Sequence, residues 1–126
     1  MSKSSIELGR RGEQQAVNYL KKNGYNIIST NYRTKAGQID IIAEDKDTIC
    51  FVEVKTRRTA GFGQPCEAVE VSKQHKMSNA ALMFLKQNRL MSSPARFDVI
   101  SISYPEEQPK VELIKNAFEL DYRYLY

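Results

Sequence analysis

Three charged side chains stand where buried strands would carry apolar ones. Asp40 interrupts the run Gly37-Gln38-Ile39-Asp40-Ile41-Ile42-Ala43, and Glu53 and Lys55 interrupt Thr48-Ile49-Cys50-Phe51-Val52-Glu53-Val54-Lys55. Charged groups are rarely buried unless they are paired or bind a metal. Hard cations such as Mg²⁺ take oxygen ligands, often one or two carboxylates with waters and a substrate phosphate. An ion held this way polarises the phosphate and lowers the pKa of a bound water. An ammonium beside it can orient that water or offset charge on the phosphorane. Asp40 and Glu53 fit the role of metal ligands, for Mg²⁺ or Mn²⁺, and Lys55 that of the ammonium. The competing reading is a cross-strand ion pair on an exposed sheet face, which Glu-x-Lys alone would favour.

Whether these groups meet depends on strand register. Glu44-Asp45-Lys46-Asp47 separates the two runs and reads as a hairpin turn. Glu53 and Lys55 are two apart, so they share a face with Phe51 and Ile49. A four-residue loop puts Ala43 opposite Thr48, Asp40 opposite Phe51 and Gln38 opposite Glu53. Asp40 is then a diagonal neighbour of Glu53 on the same face, roughly 7–8 Å away at Cα. A slip of one residue would send Asp40 to the other face. Gly37 is expected to let the backbone bend tightly ahead of Asp40.

Two helices and three more strands must position this hairpin. The first helix is expected from Ser5 to Asn23, with a capping box at Ser4 and Glu7 and a left-handed C-cap at Gly24. Its inward stripe reads Gly9, Glu13, Ala16, Val17, Leu20. Glu13 is then a carboxylate facing the sheet, either the partner of an arginine at the core rim or an accessory acid of the site. Arg10 and Arg11 flank it, to touch phosphate or simply to be solvated. Tyr25 to Arg33 reads as the first strand. After Lys55, the stretch Thr56 to Pro65 carries Arg57 and Arg58 with two glycines and a proline. It reads as a connector by composition and as a phosphate-contacting flap by position, and Phe62 within it could stack on a base or tuck onto the domain.

The second helix is expected from Ser72 to Asn88, capped by Ser72, with Met77, Ala80, Ala81, Phe84 and Leu85 inward. Lys73 sits one turn ahead of Met77, at the sheet's catalytic edge, against the alternative of a solvated lysine. Met77 and Met83 read as core filler, and Gln74 and His75 as exposed. Ala95 to Ser103 should be a strand parallel to the Glu53 strand, reached by a right-handed crossover. Lys110 to Ile114 reads as a short edge strand. The order is helix, three-stranded meander, helix, two strands: an α/β domain with a mixed sheet of about five strands flanked by helices.

Composition narrows the partners. A chain of 126 residues suits one domain and buries about two-thirds of its surface. Lysine plus arginine exceed aspartate plus glutamate by 19 to 15, which permits a polyanionic partner without requiring one. No apolar run has the length of a membrane helix and no signal-peptide core is present, so no membrane partner is expected. Cys50 and Cys66 form neither a disulfide framework nor a zinc spacing, which suits a reducing cytoplasm.

Several motifs in order resemble one family. Gly12-Glu13, Gly37-Gln38-Ile39-Asp40, Phe51-Val52-Glu53-Val54-Lys55-Thr56-Arg57, Arg96-Phe97-Asp98-Val99 and Asn116-Ala117-Phe118 look like the YraN-like family of small bacterial proteins. That family is similar to archaeal Holliday-junction resolvases, among the PD-(D/E)XK nucleases of restriction-endonuclease-like fold. The resemblance implies a three-layer domain of that fold over residues 1–126 and a metal-dependent nuclease acting on nucleic acid, DNA above all, with branched DNA as one substrate class. It implies Glu13, Asp40, Glu53 and Lys55 as catalytic residues and adds the Val54 carbonyl to the metal ligands. Arg10, Arg11, Arg57, Arg58 and Lys73 would contact nucleic acid. No small-molecule cofactor is expected; a homodimer would suit the symmetric cuts of junction resolvases, which need two sites, but one chain does not write that symmetry. The family usually has Glu where this chain has Gln38, and the superfamily has Pro where Ile39 stands. With fewer carboxylates at hand, one metal ion is expected rather than two. The rival expectation is a non-catalytic nucleic-acid- or protein-binding module on the same fold.

Overall fold

Apolar residues fill both faces of the central strands, which requires cover on both sides. The structure, a computed structural model, describes residues 3–57, 69–104 and 107–119, with side chains from residue 6 onward. Its elements are α1 (Lys3–Lys22), β1 (Asn26–Arg33), β2 (Gln38–Asp45), β3 (Thr48–Arg57), α2 (Val71–Gln87), β4 (Ala95–Ser103) and β5 (Lys110–Phe118). They make one five-stranded sheet in the order β1-β2-β3-β4-β5. The β1–β2, β2–β3 and β4–β5 pairs are antiparallel, and β3 and β4 are parallel.

Alternation along β3 divides the core in two. Ile49 and Phe51 join Met77, Ala80, Ala81, Phe84 and Leu85 of α2, with Phe97 and Val99 of β4. Cys50 and Val52 join Ala16 and Leu20 of α1, with Ile100 and Ile102 of β4. The helices therefore cover opposite faces, and the expected α/β architecture is found, in three layers. Stacking of Phe97 on Phe118, with centroids 4.5 Å apart, ties β5 to the α2 side.

Helix ends follow local chemistry, with departures from expectation. Gly24 adopts φ 85°, and the Gly24 and Tyr25 amides donate to the Lys21 and Leu20 carbonyls, the left-handed cap expected there. At the other end α1 begins at Lys3, so Ser4 lies inside the helix and the expected capping box does not start it. Glu70, not Ser72, is the N-cap of α2, and it makes no side-chain cap bond. The inward stripe of α1 centres on Gly12, Ala16 and Leu20, all buried, while Gly9 faces open space. Met83 is 38% exposed and is not core filler, whereas Met77 is fully buried. Gln74 and His75 are half-buried. β5 runs on to Phe118, well past the expected end at Ile114. Arg58, Phe62, Cys66 and the aromatic tail from Tyr122 to Tyr126 lie outside the described residues.

Two glycines hold the helices close to the sheet. A Cβ on Gly12 would fall 2.0 Å from Thr56 Oγ1, so the missing side chain lets α1 settle against β3. A Cβ on Gly37 would lie 2.6 Å from the Lys76 carbonyl oxygen. The bend before β2 is held elsewhere: Thr34 Oγ1 accepts the Ala36 and Gly37 amides at 3.0 Å. Gly37 is therefore needed for close approach of α2, not for a tight bend. Gly37→Ala should push α2 off the sheet and cost about 1–3 kcal/mol, read as a lower urea midpoint with unchanged m-value.

Candidate metal and nucleic-acid site

The site begins where β2 and β3 part. Their ladder runs from Asp45↔Thr48 to Ile41↔Val52 and stops there. The turn is the two residues Lys46 and Asp47, with Lys46 at φ 60°. The register is thus shifted by two residues from the four-residue loop expected, because Glu44 and Asp45 stay in the strand. An even shift keeps every side chain on its face. One step past the last pair, Asp40 comes level with Glu53 instead of lying diagonal to it.

Alternation in β2 also fails at this point. Ile41 packs on the α1 side and Ile42 on the α2 side, yet Ile39 also packs on the α2 side. The strand turns about Asp40. Its Oδ2 accepts the Val54 amide at 2.9 Å, closing the gap that the parting strands open. Among the described residues, its Oδ1 has only a long 3.5 Å contact from Gln38 Nε2.

Glu53 is the buried member of the pair, 2% exposed. Its Oε1 is paired with the Lys73 ammonium and lies 3.7 Å from Lys55 Nζ. Its Oε2 is buried with no partner among the described residues. Burial pushes the Glu53 carboxyl above its ordinary value, the Asp40 charge adds to that, and Lys73 and Lys55 pull it back. Burial alone would lower the Lys73 amine, but the hydrogen bond and charge of Glu53, with Asp40, raise it. Gly37, Gln38, Asp40, Glu53, Lys73, Lys76 and Met77 enclose a cavity of about 220 Å³ here.

A second cavity opens on the α1 side of Asp40. Its volume is about 290 Å³, and Arg10, Glu13, Gln14, Thr30 and Asn31 line it with Asp40. Glu13 thus shares this cavity with Asp40, while Glu53 shares the other one with it, on the α2 side. Of the four expected catalytic residues, Glu13 and Asp40 line one cavity, Asp40 and Glu53 line the other, and Lys55 stands beside Glu53, so they do not share one concavity. Among the described residues, no group of three or more His, Cys, Asp or Glu side chains is placed to hold a metal ion.

The expected basic rim is partly assembled. Arg10 lines the α1-side cavity. Arg11 lies 4.8 Å over the Tyr104 ring and is held there. Arg57 ends β3, where its carbonyl accepts the Tyr104 amide. Lys73 stands on Glu53, at the centre of the site and not on its rim. Lys76 lines the α2-side cavity as well, and the one sequence signal for it is its position three residues after Lys73, which puts both on one helix face.

A second buried acid lies across the sheet. Asp98 is fully buried on the α1 side. It accepts Arg96 Nε at 3.0 Å and the Asn116 amide at 2.9 Å. Arg96 Nη2 also donates to the Tyr25 hydroxyl at 2.9 Å and to Asp45 at 2.8 Å. Every charge here has a partner, so this knot is structural. Burial beside it pushes the Cys50 thiol up to about 12, which keeps the sulfur protonated and unreactive.

A mixed sheet between two helices, with paired carboxylates where two strands part, defines an α/β protein with a candidate metal site. A family model described as Uncharacterised protein family UPF0102 matches residues 12–102. A UPF0102 protein of Syntrophus aciditrophicus (strain SB) is 49% identical over 118 residues, covering 94% of this chain and 93% of its own. One of Geobacter metallireducens is 48% identical over 122 residues, covering 97% of this chain and 100% of its own. One of Caldicellulosiruptor saccharolyticus is 45% identical over 114 residues, covering 89% and 97%. The chain belongs to the UPF0102 family, the YraN-like family that its motifs resemble. No helix among the described residues is long and apolar enough to cross a membrane.

Proposed function

We propose that this protein is a cytoplasmic, metal-dependent nuclease of restriction-endonuclease-like fold that hydrolyses phosphodiester bonds in nucleic acid, DNA above all. The observation that carries this reading is the meeting of Asp40 and Glu53 at the parting of β2 and β3, with two ammonium groups beside them. Mg²⁺ or Mn²⁺ suits the donor set, which is hard carboxylate oxygen with one buried oxygen unpartnered. Asp40 and Glu53 would hold the ion, with the Val54 carbonyl as the family resemblance implies. When bound, the ion would polarise the scissile phosphate and lower the pKa of water.

The chain's own groups supply the rest. Lys55, its side chain 25% exposed beside Glu53, can orient the attacking water and neutralise charge on the phosphate. The Val54 amide fixes one oxygen of Asp40, which leaves the other turned to the cavity. Glu13, from the α1 side, would assist as an accessory acid in the cavity it shares with Asp40. Arg10 on the α1-side cavity and Lys76 on the α2-side cavity would give phosphate a positive approach on both sides of the sheet, and Arg57 and Arg58 follow Lys55 along the chain. Cutting both strands of a branched substrate would call for a symmetric dimer.

A second reading is a nucleic-acid-binding module without catalysis. It is favoured by the want, among the described residues, of a third acid placed to hold the ion, and by Lys73 already neutralising Glu53. Incubation with single-stranded, duplex and four-way-junction DNA in Mg²⁺, Mn²⁺ or chelator separates the two. Cleavage that needs the ion supports the nuclease, while binding that ignores chelator and yields no product supports the module. In either case log affinity for duplex should fall with log salt by about 0.9 per phosphate contact. Binding that ignores salt would count against both.

A further inference from the structure

We propose that Lys73 is the resident counter-ion of the site: its ammonium holds the Glu53 carboxylate where a divalent cation would, and must leave for the cation to bind. This rests on the metal-site reading above and says how that site is gated. The charge count motivates it. Asp40 and Glu53 contribute two negative charges, and the two ammonium groups beside Glu53, those of Lys55 and Lys73, already balance them without any metal, while the exposed Lys76 adds a further positive charge at the cavity wall. A buried carboxylate needs such compensation. A divalent ion entering with both lysines in place would leave a local excess of two positive charges at close range. One ammonium therefore has to withdraw.

Geometry selects Lys73. It takes Glu53 Oε1 directly, whereas Lys55 stands back at 3.7 Å. Its side chain is 43% exposed against 25% for Lys55, so it can swing into water. It lies in the first turn of α2 and lines the cavity together with Lys76. Its departure would free Oε1 to join Oε2 and Asp40 Oδ1 as open donors. The released ammonium would stay at the cavity mouth, where a phosphate arrives. Metal entry and the making of a phosphate-binding pair, Lys73 with Lys76, would then be one event.

The test is calorimetric titration of Mg²⁺ and of Mn²⁺ into the whole chain, comparing wild type, Lys73→Gln and Lys86→Gln. Glutamine keeps a hydrogen-bond donor for Glu53 and removes the charge. Lys86, in the last turn of α2, controls for net charge alone. Lys73→Gln should tighten metal binding about tenfold, and Lys86→Gln should leave it within about twofold. Unchanged or weaker binding by Lys73→Gln, beside clear binding by wild type, overturns the counter-ion role and leaves the nuclease reading standing. No binding by any of the three overturns both. A second measurement needs no variant: acylation of wild-type lysines by an amine-reactive reagent, read by peptide mass spectrometry. Saturating metal should speed modification of Lys73 severalfold relative to Lys86. Modification of Lys73 that is unchanged or slowed by metal overturns the proposal.

Discussion

Asp40→Asn and Glu53→Gln are each expected to abolish cleavage and to weaken Mg²⁺ binding, while Lys55→Ala cuts slowly and binds metal at least as well as wild type. The three variants separate holding the ion from using it. Asn at position 40 can still accept the Val54 amide through Oδ1, so the join between β2 and β3 survives and only charge is lost. Gln at position 53 removes a charge that burial already disfavours. It leaves behind Lys73, which is exposed enough to be solvated. Both variants should therefore melt near the wild-type temperature, and their loss of function is not a loss of fold. Lys55 carries no lone pair when protonated and repels a cation, so its removal relieves the ion. Cleavage by Lys55→Ala should fall by about 10²–10⁴-fold if the amine positions water or moves a proton. Calorimetry and a cleavage assay on the same preparations decide it. No divalent binding by wild type at millimolar concentration would leave the binding-module reading in possession. Cleavage by Lys55→Ala at the wild-type rate would reduce Lys55 to a partner of Glu53.

The pairing of Asp40 with Glu53 was legible in the sequence for a physical reason. Strand side chains repeat every two residues, so a register misjudged by two still puts the right groups on the right face. The misjudgement came from the turn. Asp45 looks like a turn residue, yet it stays in β2 because Arg96, far along the chain, hydrogen-bonds it there. The placement of Glu13 was less legible. A hydrophobic stripe counts side chains, and the contact that orients α1 is made by a glycine with none, Gly12 against Thr56. Rotating the stripe onto Gly12, Ala16 and Leu20 leaves Glu13 half-buried at its edge, beside Asp40 and across the sheet from Glu53. The Lys73–Glu53 pair was legible only as proximity, from Lys73 preceding Met77 by one turn. Its distance from Glu53 depends on how deeply α2 sits, and that is set by Gly37 passing under the Lys76 carbonyl.

The largest effect on stability should come from Asp98, whose place in a knot no local pattern announced. Asp98→Ala is expected to cost about 3–5 kcal/mol, because it removes one side of a buried ion pair and leaves two buried donors without their acceptor, although Arg96 keeps Asp45 as a partner. Asp98 has 0% side-chain exposure, and Arg96 is 19% exposed. Without the carboxylate, Arg96 Nε and the Asn116 amide both lose their acceptor. The Asn116 loss matters for β5, since Asn116 holds φ 54° beside the irregularity in the β4–β5 ladder. A drop of about 10 °C or more in melting temperature follows for a domain of this size. Replacing both partners, Arg96→Met with Asp98→Leu, should cost less than the two single losses added together, because no charge is then left unpaired. Acid provides an independent check. The Arg96 hydrogen bond holds the Asp45 carboxyl below its usual value of 3.8. Its folded pKa is thus lower than its unfolded one, so the stability it contributes is complete above about pH 4 and is lost as pH falls through the folded pKa. The gap between wild type and Arg96→Met should narrow accordingly in acid. Metal affinity should not change in Asp98→Ala, since the knot lies on the α1 face and Glu53 on the α2 face. Equal melting temperatures for wild type and Asp98→Ala would sink the knot as a structural element, and a lost metal site in that variant would tie the two faces together.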